Sequence, residues 1–301
     1  MTPASNTFTP EKPRRPFPID PRSTSAFFSG RRATLLLLGL VISLWSIAPA
    51  RAATLIGGDF AGVLYDINAA NGTASNPRPT GLYQMAGFTV TPDGQQAYAL
   101  TTFGHAQPNA LFRIELATGA ATFIGNTGLN LIGEGDLAIR PGDGRLFGVW
   151  NAVGGDLHLF TLDTTTGAAT DVGAAASASD LSGLAFGPNG ALYCFENFRG
   201  RLLVLDPATG STLSTINLSG SVGGGEMAGL AYDTASETMY MAAGANPSLF
   251  TIDLATGAAT LLGPTVPQGL ASLAVVPEPT TVSLLILGLV LLCRPWRHIR
   301  L

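Results

Sequence analysis

Two sets of carboxylates recur along the chain, and they suggest different chemistry. The first is Asp66, Glu115, Asp163, Asp206 and Asp253. The last four share the frame Asp/Glu-x-x-Thr-Gly, whereas Asp66 has two extra residues before Asn71-Gly72. An acid in that position caps its own turn by accepting backbone N–H bonds, Asp more readily than Glu. Such oxygens could also bind calcium. Acids in separate hairpins cannot converge on one ion, however, and no Asp-x-Asp-x-Asp-Gly loop occurs. The second set is Gln84, Glu134, Asp136, Asp180 and Glu226. Gln84, Asp180 and Glu226 precede a recurring apolar motif at matching offsets, and Glu134 and Asp136 fall near the same place in another copy. If the copies form a ring, these residues approach one channel mouth. A divalent cation or a polar ligand could be held there. The plainer reading is solvated loop acids.

Other reactive groups are sparse. His105 and His158 are isolated, His298 lies in the tail, and no two histidines share metal-ligand spacing, so no metal site is assigned. Cys194 sits in the strand-like Ala191-Leu192-Tyr193-Cys194-Phe195 with no histidine nearby in sequence, which predicts a buried, inert thiol. Gly223-Gly224-Gly225 lacks the Lys and the helix of a phosphate loop. No catalytic residue is assigned, and no cofactor beyond that cation.

The elements that must position these residues form a repeat. Thr118-Gly119-Ala120-Ala121-Thr122 recurs at 166–170 and 256–260, with weaker copies at Asn71-Gly72 and Thr209-Gly210. The glycines at 72, 119, 167, 210 and 257 are 47, 48, 43 and 47 residues apart. A second motif keeps step with them: Ala86-Gly87-Phe88, Gly135-Asp136-Leu137, Ser182-Gly183-Leu184, Ala228-Gly229-Leu230 and Ala271-Ser272-Leu273. Within a period, short apolar runs alternate with turns such as Gly187-Pro188-Asn189-Gly190 and Asp206-Pro207-Ala208-Thr209-Gly210, in which proline presets φ and glycine accepts positive φ. Four strands in about 45 residues is the size of a propeller blade. The first copy lacks an inner strand and the last copy, Leu270–Val276, supplies one. The expected fold is therefore all-β: a β-propeller of four-stranded blades, five in number, closed by pairing the N- and C-terminal strands. A sixth, degenerate blade and an open β-solenoid are the alternatives.

Both ends of the chain look like addresses. Residues 1–52 read as a signal peptide: a long polar, arginine-bearing n-region, an apolar run from Ala33 to Ile47, then Ala48-Pro49-Ala50-Arg51-Ala52-Ala53. Cleavage after Ala52 would leave Ala53 first, and cleavage after Ala50 is the alternative. Arg31-Arg32 also admits a twin-arginine reading. At the other end, Pro277-Glu278-Pro279 precedes a charge-free run, Thr280 to Cys293, and a basic tail with Arg294, Arg297 and Arg300. Only a helix satisfies such a backbone in lipid, and the arginines favour the cytoplasmic side. This three-part end, residues 277–301, resembles the PEP-CTERM sorting domain of Gram-negative bacteria, although its charge-free run of 14 residues is shorter than the ~20 of a full membrane span. The resemblance implies cutting by an exosortase-type enzyme.

The body, residues 53–276, holds 17 Asp and Glu against 6 Arg and no Lys, a net charge of −11. That argues against nucleic acid as a partner. Leu111-Phe112-Arg113-Ile114-Glu115, Leu159-Phe160-Thr161-Leu162-Asp163 and Leu249-Phe250-Thr251-Ile252-Asp253 resemble the broad set of secreted bacterial propellers that includes gluconolactonase-like and NHL-like proteins. Shared turn and strand residues carry over no activity. The functional expectation is an exported, non-enzymatic surface or matrix protein. Its partners would be signal peptidase, an exosortase-type enzyme, the inner membrane before processing, and exopolysaccharide. The alternative is a propeller hydrolase, lactonase or lyase working at the channel mouth.

Overall fold

The computed structural model describes residues 54–276 other than 130, 153–156, 176–179, 221, 223–226 and 245. The expected signal peptide with Ala50, Ala52 and Ala53 lies outside the described residues. So do the sorting signal with Pro277, Glu278, Pro279, Arg294, Arg297 and Arg300, and also Glu226. Among the described residues, no helix is long and apolar enough to cross a membrane.

The chain opens with β1 (Thr54–Gly58), β2 (Val63–Asn68) and β3 (Ala74–Pro79). The second blade is β4 (Met85–Val90), β5 (Ala97–Thr101), β6 (Ala110–Ile114) and β7 (Ala121–Asn126). The third is β8 (Leu131–Ile139), β9 (Leu146–Ala152), β10 (Leu157–Leu162) and β11 (Ala169–Ala174). The fourth is β12 (Leu181–Phe186), β13 (Leu192–Glu196), β14 (Arg201–Leu205) and β15 (Thr212–Asn217). The fifth is β16 (Ala228–Asp233), β17 (Thr238–Ala243), β18 (Ser248–Ile252) and β19 (Ala259–Pro264), and β20 (Ser272–Val276) follows. Each blade is an antiparallel sheet with its strands in sequence order, except that β20 joins the first sheet as its innermost strand. The pairing runs from Thr54↔Val276 to Gly58↔Ser272. The expected closure is met, and it removes the two edges that an open array would expose.

The inner strands form a ring: β20 packs on β4, β4 on β8, β8 on β12, β12 on β16, and β16 on β20. Inner strands β4 and β12 are buried along their whole length, because both faces of a blade meet neighbours. Apolar clusters fill the wedges between blades. One of them joins Phe147 and Val149 of the third blade to Leu184, Cys194 and Leu203 of the fourth. Phe88, Phe147, Phe160 and Phe195 are fully buried, each contributing about 1.5–3 kcal/mol. Outer strands β7 and β15 are largely exposed or half-buried along their length.

The Thr-Gly signature does two jobs. Gly167 closes its turn at φ +79°, and a Cβ there would come within 2.5 Å of the Gly125 carbonyl oxygen in the preceding blade. A side chain at this point would both strain the turn and separate the blades. The acids behave as turn caps. Asp163 Oδ1 accepts from Thr165 N and Thr166 N at 2.8 and 2.9 Å. Asp206 Oδ1 accepts from Ala208 N, and Asp253 Oδ1 from Ala255 N. Glu115 instead takes the Thr118 hydroxyl, at 2.7 Å. Asp66 is not the fifth copy. Asn68 is: its carbonyl accepts from Gly72 N at 2.8 Å and its Oδ1 from Ala70 N at 2.9 Å. Asp66 points across the sheet to Arg78 at 2.7 Å and Asn76 at 3.0 Å.

Candidate functional site

Strands alternate in direction, so the starts of the inner strands share one end of the ring with the connections between second and third strands. The hairpin turns of the capping acids lie at the opposite end. Gln84, Glu134 and Asp180 therefore lie towards the other mouth.

The repeat aligns one residue of each inner strand: Gly87, Asp136, Gly183, Gly229 and Ser272. Space is short there. A Cβ on Gly87 would come within 3.0 Å of Asp136 Cα, and one on Gly229 within 2.3 Å of Leu273 N. Asp136, fully buried, uses the room the glycines leave. Its Oδ1 accepts from Leu137 N at 2.8 Å and more weakly from Phe88 N at 3.4 Å. Its Oδ2 accepts from Leu184 N at 2.9 Å. Burial pushes this carboxyl well above the usual range, while the amides of Leu184, Leu137, Phe88 and Leu230 pull the other way. These four amides come from four different blades. Asp136 is thus a pin through the ring, screened from any ligand at the mouth.

Above it, Glu134 and Asp180 flank one side chain. Asn197 Nδ2 donates to Glu134 Oε2 at 2.5 Å and lies 3.4 Å from Asp180 Oδ2. The Asn151 amide also donates to Asp180 Oδ1, and Asn151 Oδ1 accepts from Leu181 N at 3.1 Å. Ser182 Oγ donates to Asn197 Oδ1 at 2.6 Å and accepts from Ala228 N at 3.0 Å. The buried network therefore runs from the third blade through the fourth to the fifth. Asn197 stands where a bridging cation would have to sit, and its N–H groups do the bridging instead. Among the described residues, no group of three or more His, Cys, Asp or Glu side chains is placed to hold a metal ion.

Gln84 belongs to another neighbourhood. At φ +60°, it donates its backbone N–H to Phe60 O at 2.9 Å and accepts the Thr102 hydroxyl at 3.2 Å. It joins the first two blades and makes no described bond to Asp180. Glu196, also buried, pairs with Arg201 and Arg199. Cys194 is buried beneath these acids. Burial raises its thiol pKa first, and the charges of Asp136, Glu196 and Asp180 raise it further, so it stays protonated. His105 stacks edge-on against Phe112, and His158 bonds Asp171 at 2.9 Å. Sequence reasoning missed Asn151, Ser182 and Asn197. Two weak signals were present: Glu196-Asn197 ends an otherwise apolar strand, and Ser182 replaces the Ala or Gly of the other copies.

The fold and the pinned axis define a five-bladed β-propeller. Residues 135–272 match a family described as a repeat of unknown function (DUF6923). No curated protein matches the sequence. A chain of the nidogen/laminin complex superposes with a TM-score of 0.52 at 14% identity, covering 75% of this chain and 98% of that one. A structural genomics protein of unknown function from Bacteroides thetaiotaomicron VPI-5482 gives 0.48 at 14% identity, covering 71% and 59%. The PQQ-bound aldose sugar dehydrogenase of Streptomyces coelicolor gives 0.40 at 17%, covering 62% of each chain. At such identities the first likeness speaks for the fold alone, and the other two carry no argument.

Proposed function

We propose that the chain is an exported, non-enzymatic surface or extracellular-matrix propeller, processed at its C-terminal sorting signal. One observation supports this reading above others. The closing pair Thr54↔Val276 lies directly inside the two expected cuts, after Ala52 and near Pro277. Removing both addresses would therefore take nothing from the ring. Mass spectrometry of the extracellular protein tests it. The expected result is an amino terminus at or near Ala53 and no peptide from Arg294–Leu301. An intact tail on the exported protein would overturn the sorting assignment. Glu278→Ala should leave uncleaved precursor in the inner membrane.

The second reading, a hydrolase, lactonase or lyase at the mouth, draws on the Glu134–Asn197–Asp180 arrangement. Against it, Asn197 and Asn151 already engage these carboxylates. A general base needs a free lone pair within reach of substrate. Turnover of a lactone or glycan that is lost in Asp180→Asn, with the fold intact, would favour this reading.

A further inference from the structure

The two ends of the ring show different chemistry to solvent. Among the described residues, the hairpin turns at one end expose Asp93, Glu115, Asp143, Asp163, Glu237 and Asp253, answered on the same turns only by Arg140 and Arg145. At the mouth end the balance is reversed. Among the described residues of its connections, the carboxylates are Asp59 and Asp180, and both are buried. Glu134 and Glu196 beside them are engaged by Asn197 and Arg201. What this end exposes is aromatic: Tyr83 at 58%, Phe103 at 59% and Phe198 at 71%. Among the described residues, the other exposed large apolar side chains, Phe123, Leu213 and Leu261, lie on outer strands and none lies on a hairpin turn.

The aromatic residues stand on opposite sides of the mouth. Tyr83 precedes Gln84 and Phe103 follows Thr102, and these two neighbours bond to each other. Thr102 N donates to Gln84 O at 3.1 Å, and Thr102 Oγ1 to Gln84 Oε1 at 3.2 Å. Tyr83 and Phe103 therefore flank one hydrogen-bonded pair near the boundary of the first and second blades. Phe198 lies in the single turn that follows β13, in the fourth blade. In a ring of five, the fourth blade stands across from the boundary of the first and second.

We infer that the mouth end is a self-association surface, on which a second copy of this chain docks mouth to mouth about a twofold axis lying in the interface. An axis set across the diameter that joins the two aromatic positions places Tyr83 and Phe103 of each copy over Phe198 of the other. That is the self-complementary contact a twofold dimer requires. Charge selects the end. The body carries a net −11, and two copies meeting by their hairpin turns would bring exposed acids together. The mouth end combines exposed aromatic residues with buried acids, the composition of an interface centre. Its carboxylates already have partners, so covering them strands no charge. Thr54 and Val276 are paired at the hairpin-turn end, so both described chain ends lie away from the docking surface.

The test is sedimentation velocity over a concentration series, on protein purified from cells expressing the whole chain. A reversible monomer–dimer equilibrium is expected, tighter as salt rises, because screening weakens repulsion between the acidic bodies. Phe198→Glu and Phe103→Glu should each raise the dimer Kd at least ~10-fold, since each sets a charge inside an apolar contact. Neither should change the melting temperature of the monomer, because both side chains are exposed. Leu261→Glu, on an outer strand, should leave the Kd unchanged. A monomer at every concentration up to about 100 μM, a dimer that Phe198→Glu leaves intact, or one that Leu261→Glu breaks equally would each overturn the inference. A monomer whose mouth instead binds a glycan or another protein would overturn the second copy as its occupant. The inference does not rest on the processing reading. All variants carry the same chain ends, so association through a retained tail would be insensitive to Phe198→Glu and would count against it.

Discussion

The two ends of the propeller spend their carboxylates in opposite ways. At the hairpin-turn end, Asp163, Asp206 and Asp253 find their partners two or three residues away. Asp163 and Asp253 are exposed and Asp206 is half-buried, and backbone amides and threonines hold each below the usual carboxylate range. At the mouth, Asp136 binds Leu184 N from 48 residues away, and Glu134 binds Asn197 from 63. The first arrangement is made by any single blade. The second exists only once neighbouring blades have packed together. The lesson is that repeated acids serve the repeat, while acids that break the repeat serve the assembly.

The sharpest way to break this contrast is to open the ring. Deleting Leu270–Val276 removes the inner strand of the first blade and leaves β1 and β4 without their neighbour. Loss of the cooperative melt and aggregation in size-exclusion chromatography are expected. A shortened protein that stays monomeric and melts near the parent would contradict closure. Next in size is Asp136→Ala, which leaves the amides of Leu137 and Leu184 buried and unpaired. The expected loss is about 3–5 kcal/mol in urea unfolding. Asn197→Asp follows at about 2–4 kcal/mol, because it sets a third carboxylate between Glu134 and Asp180. Replacing Asp253 by Ala should have the smallest effect, a thermal midpoint lowered less than in any of these variants.

Acid titration sharpens the comparison, because the two ends have opposite signs. The turn acids have lowered pKa values, so their contribution is present above the unfolded value of about 3.9 and is lost as pH falls below it. Asp136 has a raised value. Between about 3.9 and that raised value, the native state holds a proton that the unfolded chain has released. Its contribution therefore grows as pH falls towards about 4 and levels off below. The stability gap between wild type and Asp136→Asn should widen as pH is lowered through that window. The triple variant Asp163→Asn, Asp206→Asn, Asp253→Asn should instead flatten the loss below pH about 4. A gap that stays constant with pH would remove Asp136 from the axis.

Much of this was determined by sequence alone, wherever the physics is local. Asp163-x-x-Thr166-Gly167 specifies a turn because the cap, the hydroxyl and the positive φ all lie within five residues. The period of such turns specified blades, and the complementary first and last copies specified their closure. Asp66 shows the limit: the spacing suggested a fifth turn acid, whereas pairing across the sheet gave that place to Asn68 and sent Asp66 to Arg78. Tertiary structure alone decided the roles at the mouth. Nothing near Asp136 in sequence distinguishes a ligand-binding acid from a pin, because three of the amides it accepts belong to strands of other blades. Asn197 becomes a bridge only when Glu134 arrives from the neighbouring blade. A carboxylate's role follows from which donors surround it, and in a ring of repeats those donors come from the adjoining units.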